Sequence, residues 1–184
     1  MDSYDIAVIG GGASGLMAAA AAAQECGKKH IHAKIAVLEA NPRVGKKLLA
    51  TGNGRCNLTN SNADITHYHG DTALAAPLLD KYTPQEIISR FASFGLLCKE
   101  LDEGRVYPYN LQASAVLDIL RFQLDRLGVE TVCDFAVASV QKSVSGFTVF
   151  SASDRVAAKR VILACGGKAY PQLGSTGSGY QIAS

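Results

Sequence analysis

The chain has no stretch long enough to cross a bilayer: its longest apolar run, residues 16–23, is eight residues, against the roughly 20 that a spanning helix needs. Nor does it open like a secretory leader. The first ten residues, MDSYDIAVIG, carry two aspartates where a leader carries lysine or arginine. Five cysteines, Cys26, Cys56, Cys98, Cys133 and Cys165, form no C-x-x-C pair, which removes the main support for a zinc ribbon or a thioredoxin-like motif and favours reduced thiols. Neither sign of charge dominates. A formal net charge of +2, with no basic tail or helix, leaves no electrostatic footprint for a nucleic acid. The expectation is a cytoplasmic protein with neither a membrane nor a nucleic-acid partner.

What is present is ordinary globular material. Apolar residues at 48% and charged residues at 18% exclude long disorder, and a chain of this length buries roughly 70% of its unfolded surface. Residues 4–9 form a short apolar run that breaks at Gly10-Gly11-Gly12-Ala13-Ser14-Gly15 and resumes as an alanine-rich segment ending near Cys26-Gly27. The pattern predicts strand, tight turn and helix, with Gly27 as the left-handed C-cap. Gly10-x-Gly12-x-x-Gly15 fits the dinucleotide fingerprint: one glycine for the turn, one to admit a pyrophosphate, one for close helix packing. A second strand over 34–38 ends in Glu39, where a carboxylate can accept from ribose hydroxyls while the pyrophosphate rests on the helix N-terminus. An acid there disfavours a 2′-phosphate, so NAD or FAD is expected over NADP. The plain alternative is a simple turn beside a solvated strand end.

After Glu39 the helix–strand alternation of an NAD domain stops. Thr83-Pro84-Gln85-Glu86 has the form of a capping box with proline at the first helical position, and Gly95 closes that helix. A second helix is expected over 112–127, with Ala113, Val116, Leu117, Leu120, Leu124 and Leu127 at helical spacing and Gly128 at its end. Residues 129–150 alternate with period two and turn at Ser143-Val144-Ser145-Gly146, which predicts an antiparallel meander. The run 161–164 is wholly apolar and ends at Gly166-Gly167, as for a strand buried on both faces.

The order of fingerprint, acid, helix, meander and apolar strand closing on Ala164-x-Gly166-Gly167 resembles the glutathione-reductase-type FAD-binding, Rossmann-like α/β domain with its antiparallel β-meander. GKKLLATGNGRCNLTN, GRVYPYNLQAS and GGKAYPQLGSTGSGYQIA resemble more narrowly the BaiN/YhiN family of FAD-dependent oxidoreductases, the aminoacetone-oxidase-like flavoproteins. The resemblance implies FAD as cofactor, NAD(P)H as electron donor, and a small organic acceptor such as the carbon–carbon double bond of an oxo-bile acid. It also implies that 1–184 is an FAD-binding domain, the N-terminal portion of a chain about twice as long, lacking the substrate domain and the returning FAD segment, and holding FAD weakly by itself. A nucleotide-binding regulatory or RNA-modification-associated module, or an inactive fragment, is the alternative.

On this resemblance the cofactor residues are Gly10, Gly12, Ala13, Ser14, Gly15, Glu39, Ala40, Ala164, Gly166 and Gly167, with Arg43, Lys46 and Lys47 near the pyrophosphate. Gly52, Asn53, Gly54 and Asn57 form a glycine loop near the flavin, whose polar edge needs donors and acceptors. Val137 would present its backbone to adenine. Blander roles stay open: a solvated surface for Arg43, Lys46 and Lys47, a salt bridge for Arg55, and β-branched strand packing for Val137. Cys56 reads as a packed thiol ahead of a redox one. His67-x-His69, alternating in a polar loop without a carboxylate or thiol beside it, reads as solvent-exposed rather than metal-binding. Tyr107 and Tyr109 flank a proline and read as structural. No side chain stands out as a catalytic acid or base.

Overall fold

The computed structural model describes residues 1–184. In chain order the elements are β1 (Ser3–Ile9), α1 (Ala13–Lys28), β2 (Ile35–Leu38), α2 (Lys46–Ala50), β3 (Thr59–Asn60), α3 (Thr72–Lys81), α4 (Pro84–Ser93) and β4 (Cys98–Glu100). They continue with β5 (Arg105–Pro108), α5 (Ala113–Arg126), β6 (Glu130–Val132), β7 (Ser139–Ser143), β8 (Gly146–Phe150), β9 (Arg155–Leu163) and α6 (Ser178–Ala183). The chain forms two compact units, one made of Met1–Leu48 with Leu120–Ser184, the other of Leu49–Ile119. No helix is long and apolar enough to cross a membrane.

The first unit is a Rossmann-type α/β layer. Its six-stranded sheet has the order β6-β2-β1-β9-β8-β7. β2 and β9 flank β1, both parallel to it, and β6 continues the parallel set beyond β2. All four residues of β2 are buried, as expected of a strand covered on both faces. Ala19 and Ala20 of α1 are fully buried; their small side chains let the helix axis lie close to β1 and β2. Tyr4, Ile9, Leu38, Phe135, Val149 and Val156 are among the residues of one apolar cluster that spans the sheet.

β9 does two jobs. Residues 155–158 pair antiparallel with β8, while 157–163 pair parallel with β1. The apolar run 161–164 is therefore the end of a nine-residue strand, and it is not buried on both faces: Val161 and Ile162 are half-buried and Leu163 is 43% exposed. The covered residues of β9 are Val156 and Ala158, which sit over the apolar cluster, whereas its last residues reach the carboxyl edge of the sheet. The alternating run 129–150 also divides differently. Residues 130–132 join the sheet parallel to β2, 133–138 form no strand, and only β7 and β8 make an antiparallel hairpin. The backbone of 133–138 is claimed elsewhere: Asp134 N–H donates to Asn41 O (3.1 Å) and Phe135 N–H to Glu39 O (2.9 Å).

Helix α1 runs past the expected cap at Gly27. It ends instead with His30 in the left-handed region, φ 54°, closed by His30 N–H to Gly27 O (3.0 Å) and Ile31 N–H to Cys26 O (2.9 Å). This is the paired bonding of a Schellman motif, built on a residue whose Cβ opposes that conformation. Replacing His30 by glycine is expected to raise stability by about 0.5–1 kcal/mol, read as a higher urea midpoint with an unchanged slope.

The second unit holds a three-stranded antiparallel sheet, β3-β5-β4, with α3 and α4. The Thr83 hydroxyl accepts from Glu86 N–H at 3.2 Å, with Pro84 at the first helical position and Gly95 at φ 98° after the helix, as the capping pattern predicts. Helix α3 has no such sequence signature: it contains Pro77 and buries none of its residues.

Candidate functional site

The carboxyl ends of β1, β2 and β9 converge on the glycine turn. Gly10, at φ +109°, carries its N–H to Leu38 O (2.8 Å), and a Cβ there would stand 2.5 Å from Ala164 O. At Gly15 a Cβ would stand 1.8 Å from Gly10 O and 3.3 Å from the Ala164 Cβ. Both positions must lack a side chain for α1 to sit on the turn. Gly12 differs: a Cβ there would meet nothing within 4 Å, so what keeps this backbone bare is not internal packing. Gly12 is also the N-cap of α1 and supplies no side-chain cap. The N–H groups of Ala13, Ser14 and Gly15 have no carbonyl within the helix to receive them, and Ala13 and Ser14 are exposed. The helix dipole adds positive potential at the same point.

Glu39 is 8% exposed and is held from three sides. Its Oε2 accepts from Gly11 N–H (2.7 Å); its Oε1 accepts from Asn41 N–H (2.8 Å) and from Asn41 Nδ2. The carboxylate thus clamps the glycine turn, a role the sequence did not reveal, and Oε2 keeps a lone pair for a further donor. Ala40, the next residue, is exposed. Val137 is half-buried against the apolar cluster. Its segment is tied to the end of β2 through Phe135 and to β8 by Ala138 N–H donating to Phe150 O (2.7 Å).

Past β2 the chain returns to the turn, with Gly45 N–H donating to Gly11 O at 2.8 Å. Arg43 and Lys46 are exposed. Lys47 is half-buried, and its Nζ donates to Ser175 Oγ at 2.6 Å. Ser175, only 4% exposed, was not anticipated; its one signal was its place in GSTGSGY. Ala164 N–H donates to Ile9 O (2.8 Å), and Gly166 follows at φ +75° with its Cβ position 3.2 Å from Ser175 Oγ. The Gly167 Cβ position is 3.9 Å from the Tyr180 hydroxyl. Between them Cys165 Sγ donates to Ile9 O at 3.5 Å. Burial pushes its thiol pKa up, which disfavours the reactive thiolate.

Of the expected cofactor residues, Gly52, Asn53, Gly54 and Asn57 lie in the second unit. Gly52 and Asn53 are left-handed, at φ 56° and 55°, and Gly54 is at φ 80°. Arg55 makes no salt bridge: its Nε donates to Gly52 O (3.2 Å) and its guanidinium lies 5.0 Å from the Tyr107 ring centroid, a cation–π geometry. Asn57 Nδ2 donates to both Thr59 O and Val106 O at 3.1 Å, so its donor side is engaged by β3 and β5. Cys56 is buried and its thiol pKa is raised by that burial. His67 is exposed as expected, but contrary to the sequence reading a carboxylate does stand beside it: Asp64, one helical turn earlier, at 3.1 Å. Tyr107 is buried, while Tyr109 is 64% exposed.

Fold and turn together define the class, an FAD/NAD(P)-binding Rossmann-type α/β fold. A fingerprint turn and acid at the carboxyl edge of a parallel sheet is where such folds bind dinucleotides. The chain belongs to the HI0933-like family: the family model for the HI0933-like protein Rossmann domain matches residues 4–184. It is 45% identical over 97% of its length to a 3-dehydro-bile acid delta(4,6)-reductase of Clostridium scindens, and 30% identical over 96% to a ribosomal RNA dihydrouridine synthase of Haemophilus influenzae. The chain spans 42% and 43% of those relatives' lengths. Among solved structures, a flavocytochrome c3 fumarate reductase in its open conformation shares the fold over 99% of this chain and 40% of its own, with a TM-score of 0.71 at 18% identity.

Proposed function

We propose that this chain is the FAD-binding part of an oxidoreductase that reduces a carbon–carbon double bond in a small oxo-bile-acid-like substrate, with NAD(P)H as electron donor. The observation that carries the cofactor is the glycine turn. Gly10 and Gly15 are bare for internal reasons, while Gly12 is bare on the side where nothing crowds it, as a backbone that a diphosphate approaches must be. Bound FAD would supply the hydride transfer. The protein's part is to hold it: the amides of Ala13, Ser14 and Gly15 toward the diphosphate, Glu39 and Ala40 toward the ribose, the Val137 backbone toward adenine.

Arg43, Lys46 and Lys47 would offset phosphate charge, and Ala164, Gly166 and Gly167 would let the chain pass close to the cofactor. The β7–β8–β9 order supports a glutathione-reductase-type meander. Gly52, Asn53, Gly54 and Asn57 are assigned to the flavin on the RCNLTN motif. The substrate class rests on the 45% identity to the bile acid reductase. A second substrate, uridine in ribosomal RNA, has the support of the 30% identical dihydrouridine synthase; making dihydrouridine also saturates a double bond beside a carbonyl.

The test is spectroscopic. Protein supplied with FAD should absorb near about 370 and 450 nm, bleach anaerobically with NADH or NADPH, and regain colour on addition of an unsaturated 3-oxo bile acid. Protein that ignores FAD defeats the proposal. Recovery of colour with unmodified ribosomal RNA and not with the steroid transfers it to the second substrate.

A further inference from the structure

Lys47 and Ser175 stand 128 residues apart in sequence and meet at 2.6 Å. Lys47 makes no ion pair, so a half-buried ammonium has a neutral hydroxyl as its partner. That is an incomplete arrangement, because a cation taken partly from water is normally balanced by an anion. Ser175 is buried, and by accepting from the ammonium it leaves its own O–H to donate elsewhere. The two groups therefore offer an N⁺–H and an O–H side by side, a pairing suited to an anionic oxygen.

Their surroundings locate that oxygen. Lys47 is two residues beyond Gly45, whose N–H is bonded to Gly11 O. Ser175 Oγ is 3.2 Å from the Cβ position of Gly166, and the Cα of the preceding Cys165 is 3.1 Å from that of Gly10. Both partners are thus anchored, by separate contacts, beside the turn that opens α1. Gly166 completes the wall: with its Cβ position also 4.0 Å from Lys47 Nζ, a side chain there would crowd the pair.

We infer that Ser175 is a cofactor-binding residue acting with Lys47, the pair donating to a phosphate oxygen of the dinucleotide as a second grip opposite the N-terminus of α1. The inference rests on the FAD assignment above and adds to it a residue from the far end of the chain. It also explains why a serine is buried in GSTGSGY: its hydroxyl orients the lysine and contributes a donor.

The full chain, stripped of flavin, is titrated with FAD by flavin fluorescence, and the bound FAD is then displaced with ADP and with adenosine. Ser175→Ala should weaken FAD and ADP each about tenfold and Lys47→Met each by more, roughly 30-fold, with adenosine unchanged within about twofold. Ser175→Thr, which keeps the hydroxyl, should restore most of the loss. Equal weakening of adenosine and ADP would mean a collapsed site and overturn the inference. So would unchanged ADP affinity with a shifted flavin potential, which would move the pair to the flavin end. If the unsubstituted protein binds neither FAD nor ADP, the FAD assignment falls and takes the inference with it. Normal binding by both the unsubstituted and the Ser175→Ala proteins removes the inference alone.

Discussion

Replacing Glu39 by glutamine is expected to raise the dissociation constant for FAD by about 100-fold, or roughly 2.7 kcal/mol, and to loosen the glycine turn in the same step. The carboxylate receives three N–H donors from the protein, one on Oε2 and two on Oε1. Glutamine is nearly isosteric but replaces one oxygen by an NH₂ group. Whichever way it turns, donor faces donor, either at Gly11 N–H or at the Asn41 pair. Charge-assisted bonds of this kind contribute about 1.5–3 kcal/mol each, and the site loses the charge as well as the geometry. A fluorescence titration reads the affinity, and hydrogen exchange at the Gly11 amide reads the turn. Full affinity in the glutamine variant would show that Glu39 serves the fold and not the cofactor.

The glycines allow fold and binding to be separated. Alanine at Gly15 would place its Cβ 1.8 Å from Gly10 O, which the backbone can relieve only by lifting α1 from the sheet; a loss of roughly 3 kcal/mol or more is expected. Alanine at Gly12 meets nothing within 4 Å, and the residue's φ of −79° suits any side chain. Gly12→Ala should therefore lose only the N-cap preference of glycine over alanine, about 1 kcal/mol or roughly 2–4 °C in melting, yet bind FAD at least about 30-fold more weakly, because its methyl group would occupy the diphosphate's line of approach. Thermal denaturation without cofactor and an FAD titration decide the matter. Unimpaired binding by Gly12→Ala would remove the diphosphate from this turn.

How far the sequence carries one depends on how local each constraint is. The strand, turn and helix that carry Gly10, Gly12 and Gly15, and the strand that ends in Glu39, could be read directly because each is a local pattern; the clamp of Glu39 on Gly11 could not, since it joins positions 28 apart. Thr83 and Gly95 were legible for the same reason, each acting within one helical turn. His30 was not, since a glycine stood three residues earlier and composition alone favours the glycine; the chain's bonds to Cys26 and Gly27 decided otherwise. The alternation over 129–150 suggested continuous strands, but alternation reports side-chain direction and not which backbone will be the partner, and residues 134 and 135 bond to the tail of β2. Helix α3 was missed because it carries a proline and buries no stripe that periodicity could detect. Asn41 and Ser175 escaped because their partners were not visible as partners: one is bonded to a carboxylate already given another role, the other to a lysine 128 residues away.

The double pairing of β9 sets a timetable for the newborn polypeptide. Ser3 is registered against Ala157, about 150 residues later, an interval that a ribosome covers in roughly 10–30 s. Throughout that wait the first strand has β2 on one flank and a bare, apolar edge on the other, the kind of surface that invites aggregation or a holding chaperone. The centre of the sheet closes only when β9 emerges, so pairing at β1 waits on a partner encoded about 150 residues downstream, a non-local contact of the kind that slows folding.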